Sequence, residues 1–380
     1  MNSENRIDML RPDAPELAAR GRFAVGVQTT RANVAAPDAP PRMLTLELWY
    51  PAVQGTKSGT RYDTLLRDGV TAVSYHGSAC RDAAVADISA PLVVLSHGFP
   101  GNRYLMSHLA ESLAAKGFVV AAPDHAGSTY EDHQDFGETL LHRPLDQRGV
   151  IDAVAGMSGD VARIADTSRV GVIGFSMGGY GALVLGGAGL SAAALVHVRA
   201  PADGSLARHR AGSASHTALQ DPRIKALIPI GPWGRGGGFW DAAGMAGLKV
   251  PTLLMAGTAD EVSVYAAMRQ IFTEATGAER HLLSFEHAGH NAAAPVPAPA
   301  ESWAFSEELG WAPFGHYADA VWDTVRMNNI AQHSAAAFLG LHLRGDSSLR
   351  RYLDGNTWPG FPAETARGLR FETYAKGASL

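Results

Sequence analysis

The chain has 380 residues, 46% of them hydrophobic, and a formal net charge of −5. That size and apolar content suffice for a large buried core. No basic block or aromatic–basic stripe is present, which argues against nucleic acid as a partner, and the single cysteine, Cys80, excludes an internal disulfide and fits a reducing compartment.

The N-terminal stretch MNSENRIDMLRPDAPELAAR is polar and lacks the apolar core of a signal peptide. No apolar run is long enough to span a bilayer. The expectation is a cytoplasmic protein with no membrane partner; the sequence leaves the oligomeric state open.

Two apolar runs, FAVGVQTT and MLTLELWYP, read as neighbouring strands forming an antiparallel edge. PLVVLSHG (Pro91–Gly98) reads as the next strand, and RYLMSHLAESLAAKG (Arg103–Gly117) as an amphipathic helix ending on glycine. FVVAAPDH (Phe118–His125) is a strand, RPLDQRGVIDAVAGM (Arg143–Met157) a helix, and RVGVIGFS (Arg169–Ser176) a strand followed by the small-residue helix MGGYGALVLGGAG. IKALIPIG (Ile224–Gly231), PTLLMAGT (Pro251–Thr258) and RHLLSFEH (Arg280–His287) complete the strands, and HSAAAFLGLHLRGD (His333–Asp346) is a late helix packed on the sheet.

Continuous apolar strands alternating with helices predict an α/β fold, a mostly parallel sheet covered on both faces. The chain reads as one domain, 1–380, with loop insertions at about 198–222 and 291–320. The first insertion is short and rich in small polar residues, which argues against a large cap domain. The second begins with the Pro/Ala-rich APVPAPAESW (Ala294–Trp303).

In VGVIGFSMGGYGAL, Ser176 stands between Gly174 and Gly178 where a strand gives way to a helix. Chemistry in open parallel sheets gathers at the carboxyl ends of strands. Glycines at two-residue spacing let the chain bend sharply and throw the hydroxyl outward, the G-x-S-x-G nucleophile elbow. The bland alternative is a tight turn with a helix-capping serine, but the strand–turn–helix context favours a nucleophile.

A serine needs a base, and the base an orienting acid, in the chain order serine, acid, histidine. Asp260 follows the strand PTLLMAGT and is preferred over Glu261 because it comes first. Two histidines, His287 and His290, follow RHLLSFEH; His290, on the AGHNA loop, is preferred because a loop can reach back to Ser176. The oxyanion hole is assigned to the backbone amides of Met177 and of Phe99, in LSHGFPGNR. His97 in that loop reads as a structural histidine.

These pieces together resemble the α/β-hydrolase superfamily, and most closely its dienelactone-hydrolase-like branch where it grades into platelet-activating-factor-acetylhydrolase-like serine esterases. The matching segments run in order from about Leu46 to Ala293, from LELWYPA through LSHGFPGNR, VGVIGFSMGGYGAL and PTLLMAGTADEV to EHAGHNAA, and VRMNNIAQHSAAAFLGLHLRGD also fits. The resemblance implies the α/β-hydrolase fold, a Ser176–Asp260–His290 triad, and no metal or other cofactor. Dienelactone hydrolases proper use cysteine as nucleophile; serine at 176 disfavours dienelactone and favours ordinary carboxylic esters.

His125, Asp132, His133 and Asp135 lie in PDHAGSTYEDHQDF, but their spacing matches no familiar zinc motif. Trp233 and Trp303 are candidate pocket-lining residues, with core packing the alternative for each. The sequence therefore predicts a serine esterase acting on a small-molecule ester through an acyl-enzyme. The alternatives are an amide, lactone or other acyl hydrolase with the same triad, or a non-catalytic binding protein on the same fold.

Overall fold

A computed structural model describes residues 2, 4–36, 39–134 and 136–378. Its strands in chain order are β1 (Ala24–Ala36), β2 (Ala39–Ala52), β3 (Thr60–Leu65), β4 (Ala72–Gly77), β5 (Cys80–Arg81) and β6 (Ala90–Ser96). They continue with β7 (Val119–Asp124), β8 (Ala165–Phe175), β9 (Ile224–Ile230), β10 (Thr252–Gly257), β11 (Arg280–Phe285) and β12 (Leu369–Tyr374). Ten of these form one sheet, ordered β12-β11-β10-β9-β8-β6-β7-β2-β1-β5, and β3 and β4 form a separate hairpin.

The six strands from β11 to β7 are mutually parallel. β2 joins β7 antiparallel and β1 joins β2 antiparallel, with Val27 opposite Trp49. This matches the expected antiparallel margin, except that the two-residue β5 lies outside it, parallel to β1. At the other margin β12 pairs antiparallel with β11. β12 and the β3–β4 hairpin have no counterpart in the sequence reading, because LRFETY and TRYDTL are short and carry too few apolar residues to stand out.

Side-chain alternation divides the strands between two cores. Leu92 and Val94 of β6 and Val172 of β8 face one; Val93, Leu95, Ile173 and Phe175 face the other. The helices Ser107–Ala115 and Thr324–Arg344 cover the second face through residues such as Leu109, Leu113, Ile330 and Phe338. The helices Phe136–Gly156, Met177–Leu185 and Tyr265–Glu274 cover the first, through Leu140, Ile151, Leu183, Met268 and Phe272. Burying both faces of the strands is what their unbroken apolar runs require.

Two helices start earlier than their apolar periodicity predicts. The late helix begins at Thr324, nine residues before His333, capped by the Asp323 carboxylate accepting from the Arg326 amide at 2.8 Å. Its first half buries amides: Asn328 donates to the Pro295 carbonyl (3.0 Å) and Gln332 to that of His108 (3.2 Å). Polar residues that are buried and bonded leave no apolar stripe in the sequence. The other, Phe136–Gly156, starts seven residues before Arg143, and Pro144 lies inside it.

The segment 198–222 holds only short turns and the helix Ala214–Leu219. The segment 291–320 has no long element, only one-turn helices at Ala300–Trp303 and Pro313–His316. Among the described residues no helix is long and apolar enough to cross a membrane.

From β6 the chain first builds β7 on one side and then returns to place β8 on the other. The loops leaving β6 and β8 therefore diverge, and a crevice opens between the strand ends. Gly98 follows β6 and Ser176 follows β8, so both sit at this switch point.

Candidate active site

Ser176 has φ 52° and ψ −110°, a left-handed conformation that few residues with a side chain adopt. The turn is possible because the chain crosses itself there. A Cβ on Gly174 would lie 2.2 Å from the Gly178 carbonyl, and one on Gly178 would lie 2.1 Å from the Ser96 carbonyl oxygen. Both glycines are required by backbone contact. The Ser176 amide donates to the Ile230 carbonyl at 2.8 Å, which ties the elbow to β9. Helix Met177–Leu185 begins at the next residue, so the Met177 amide is a first-turn donor with no partner inside its helix.

Asp260 follows β10 and is buried. Its Oδ1 accepts from the amides of Val262 (2.8 Å) and Ser263 (2.9 Å), and its Oδ2 lies 2.8 Å from Nδ1 of His290. A carboxylate only accepts, so Nδ1 carries the proton and Nε2 keeps its lone pair. Gly231, just after β9, abuts this pair: a Cβ there would lie 3.4 Å from the His290 ring and 3.6 Å from the Asp260 carboxylate. The His290 ring packs against Phe175, centroids 5.0 Å apart. His287 is exposed and its amide donates to Thr258 Oγ1 at 2.7 Å, while Glu261 points to solvent. Of the two histidines and two acids weighed in the sequence, the structure joins His290 to Asp260.

Ser176, His290, Gly98 and Phe99 line one cavity of about 480 Å³, together with Phe175, Arg67, Trp311, His316 and Asp319. A Cβ on Gly98 would touch the Ser176 Cβ at 3.4 Å, which sets the Phe99 loop directly beside the elbow. Among the described residues no acceptor is recorded for the Phe99 amide. Two amides without internal partners thus flank the serine.

Neither candidate tryptophan lines this cavity. Trp233 stands behind it: its ring packs against Phe136 (5.0 Å) and Phe239 (4.9 Å), and Phe136 in turn packs against Phe99 (5.1 Å). Trp303 stacks on Phe314 at 4.0 Å and lines a neighbouring cavity of about 500 Å³. Trp311, from the same segment a few residues further on, joins Phe99 and Phe175 in the aromatic wall at Ser176.

A buried polar network lies beneath the Phe99 loop. Arg143 donates to the carbonyls of His97 and Gly98 and to the Ser128 hydroxyl. Burial pushes its guanidinium down to about 9. His97 sits with Nδ1 2.8 Å from the Gly98 carbonyl and accepts from the His125 amide at 3.1 Å. His125 in turn bridges Ser96 Oγ (2.8 Å) and Asp146 Oδ2 (3.0 Å). Ser96, His125 and Asp146 form a second serine–histidine–aspartate string, yet all three are at most 1% exposed and none lines the cavity. Burial pushes Asp146 up to about 6 and His125 well below the usual histidine range. The string braces the loop from below.

His125 is thereby committed, Asp132 accepts from the Gly127 amide (2.6 Å), and the His133 ring lies 6.1 Å from that of Phe99. Asp135 lies outside the described residues. Among the described residues no group of three histidine, cysteine, aspartate or glutamate side chains could hold a metal ion.

A family model for the alpha/beta hydrolase fold matches residues 91–187, the segment from β6 through the elbow helix. The fold is the α/β-hydrolase fold. A second family model, platelet-activating factor acetylhydrolase, isoform II, matches residues 38–135, which hold β2, the hairpin and the Phe99 loop. The chain is 28% identical to Cutinase est1 of Thermobifida alba over 180 residues, 47% of this chain and 46% of the other. It is 27% identical to Cutinase 2 of Thermobifida cellulosilytica over 171 residues, 45% and 48% of the two chains. With Cutinase cut1 of Thermobifida fusca the identity is 27%, over 45% and 40%. The chain thus spans less than half the length of these relatives.

Sequence reasoning missed Arg143, Gly231 and Arg67. The glycine in IPIGP could have been noticed as a small residue at a strand end. The two arginines carry no local signal, because their partners are distant in the chain.

Proposed function

We propose that this α/β-hydrolase cleaves carboxylic esters through an acyl-enzyme on Ser176. The observation that carries the reading is the 2.8 Å bond between Asp260 and His290, whose ring lines the cavity onto which Ser176 opens. The bond fixes the tautomer that leaves Nε2 free to accept a proton. The acetylhydrolase family model and the relatives named as cutinases support an ester as the bond cleaved.

In this mechanism Ser176 Oγ attacks the ester carbonyl carbon while Nε2 of His290 takes its proton. The carbonyl π pair moves onto oxygen, and the Phe99 and Met177 amides donate to that oxyanion. The tetrahedral intermediate collapses, the alcohol leaves with the proton from His290, and the acyl group stays on Ser176. Water then attacks the acyl-enzyme, loses its proton to His290, and frees the acid. Asp260 accepts from Nδ1–H of His290 and stabilises the imidazolium.

Hydrolysis of p-nitrophenyl esters of increasing acyl length tests this, with wild type beside Ser176→Ala. The reading predicts turnover in wild type and none above background in the variant. Equal rates in the two proteins contradict it. A matched p-nitroanilide, cleaved as fast as the ester, would shift the assignment to an amidase with the same triad.

A further inference from the structure

The β3–β4 hairpin stands apart from the main sheet, and its turn brings Arg67 into the cavity that holds Ser176. The turn is held from within. Asp68 Oδ1 accepts from the amides of Val70 (3.1 Å) and Thr71 (2.9 Å), its Oδ2 accepts from Thr71 Oγ1 (2.6 Å), and the Leu66 amide donates to the Thr71 carbonyl (2.9 Å). The acid next to Arg67 in sequence is therefore spent on the turn itself.

Among the described residues the guanidinium has no carboxylate within ion-pair distance, and its recorded bond is from Nη1 to Nδ1 of His316 at 3.2 Å. Arginine only donates, so Nδ1 of His316 is the acceptor, and Nε2–H donates to the Tyr130 hydroxyl at 2.7 Å. His316 is buried and neutral; burial and the Arg67 charge hold it well below the usual histidine range. A neutral partner orients the guanidinium without cancelling its charge. The carboxylate on the cavity wall, Asp319, is occupied by three amides: Gly289 on Oδ2 (2.6 Å), and Val321 (2.9 Å) and Trp322 (2.8 Å) on Oδ1.

We infer that Arg67 is an anion subsite, and that the hydrolase selects esters carrying a carboxylate remote from the scissile bond. The planar fork left free on Nε and Nη2 suits a carboxylate's two oxygens. This rests on the esterase reading above and names its substrate class.

The test compares two ester pairs that differ only in charge. The first is mono(p-nitrophenyl) adipate against its methyl-capped diester, which places the carboxylate on the acyl side. The second is 4-acetoxybenzoate against its methyl ester, which places it on the alcohol side. Wild type is expected to favour the acid of one pair by roughly tenfold to a hundredfold in kcat/KM. That preference is expected to vanish in Arg67→Met, with the acid's kcat/KM falling towards that of its capped partner, and to survive in part in Arg67→Lys. Which pair responds tells which side of the ester faces Arg67. Equal rates within both pairs in wild type overturn the inference, whatever the variants do, and leave the esterase reading standing. A preference that persists unchanged in Arg67→Met also overturns it. If no ester of either pair is cleaved while the protein is folded, both readings fall together.

Discussion

Ser176 stores backbone strain where the chemistry is proposed to occur. A residue with a side chain at φ 52° costs on the order of 1–3 kcal/mol, held by the elbow's contacts with β6 and β9. Ser176→Gly is therefore expected to raise the unfolding free energy by about 1 kcal/mol in urea titration while abolishing turnover. A loss of stability in that variant would contradict the strain. Asp260→Asn keeps the bonds from Val262 and Ser263 available but disturbs the tautomer of His290. Its kcat is expected to fall on the order of 10⁴-fold with little change in thermal stability. A drop of less than about tenfold would mean that the pair does not set the proton's place.

The proposed oxyanion donors are held in place by residues that do not line the cavity, such as Arg143 and Ser96. The Phe99 amide is carried on a loop whose two preceding carbonyls, those of His97 and Gly98, are bound by Arg143 from the helix Phe136–Gly156. Arg143→Met leaves the His97 carbonyl buried and unpaired, leaves that of Gly98 to His97 Nδ1 alone, and lets the loop shift. Losing one oxyanion donor costs roughly 10²–10³ in kcat, and a fall of that order with KM little changed is the expected result. On the elbow side, Gly178→Ala sets a methyl 2.1 Å from the Ser96 carbonyl oxygen, so β6 and the elbow helix must part. A loss of roughly 1–3 kcal/mol in urea unfolding is expected, together with lower kcat. The strands and the glycine spacing were legible in the sequence because each rests on local pattern: unbroken apolar runs, and a serine at a strand end. Asp260 and His290 were legible through chain order alone. Arg143 and Arg67 were not, since a side chain that spans elements leaves no period. Trp303 was expected where Trp311 stands for a related reason: the path of segment 291–320 is set by packing rather than by periodicity.

Across the whole molecule, burial of histidines sets the response to acid. His108, His209 and His333 are held down to about 4 by burial, and His97, His125 and His316 lie well below the usual histidine range. In the unfolded chain each would titrate near about 6.5. The unfolded state then binds more protons below neutrality, so stability is present above about 6.5 and is lost as pH falls towards 4. Asp146, raised to about 6, and Glu111 and Asp124, also raised by burial, work in the opposite direction but are three groups against six. Each buried histidine contributes up to about 1.4 kcal/mol per pH unit in that window. Urea midpoints at pH 7 and pH 5 are expected to differ by more than a single proton's linkage. His108→Gln should flatten the slope, since His108 bonds only the Ala294 carbonyl through Nε2. A midpoint independent of pH would show that these histidines are not buried neutral.

The central claim is that Ser176 is a nucleophile activated by His290, and a fluorophosphonate tests it most directly. Wild type, His290→Ala and Ser176→Ala are exposed to the probe at pH 7.5, and the modified peptide is located by mass spectrometry. The account predicts one adduct, on Ser176, formed rapidly in wild type, much more slowly in His290→Ala and not at all in Ser176→Ala. An adduct on another residue, or none on the folded wild type, would contradict it.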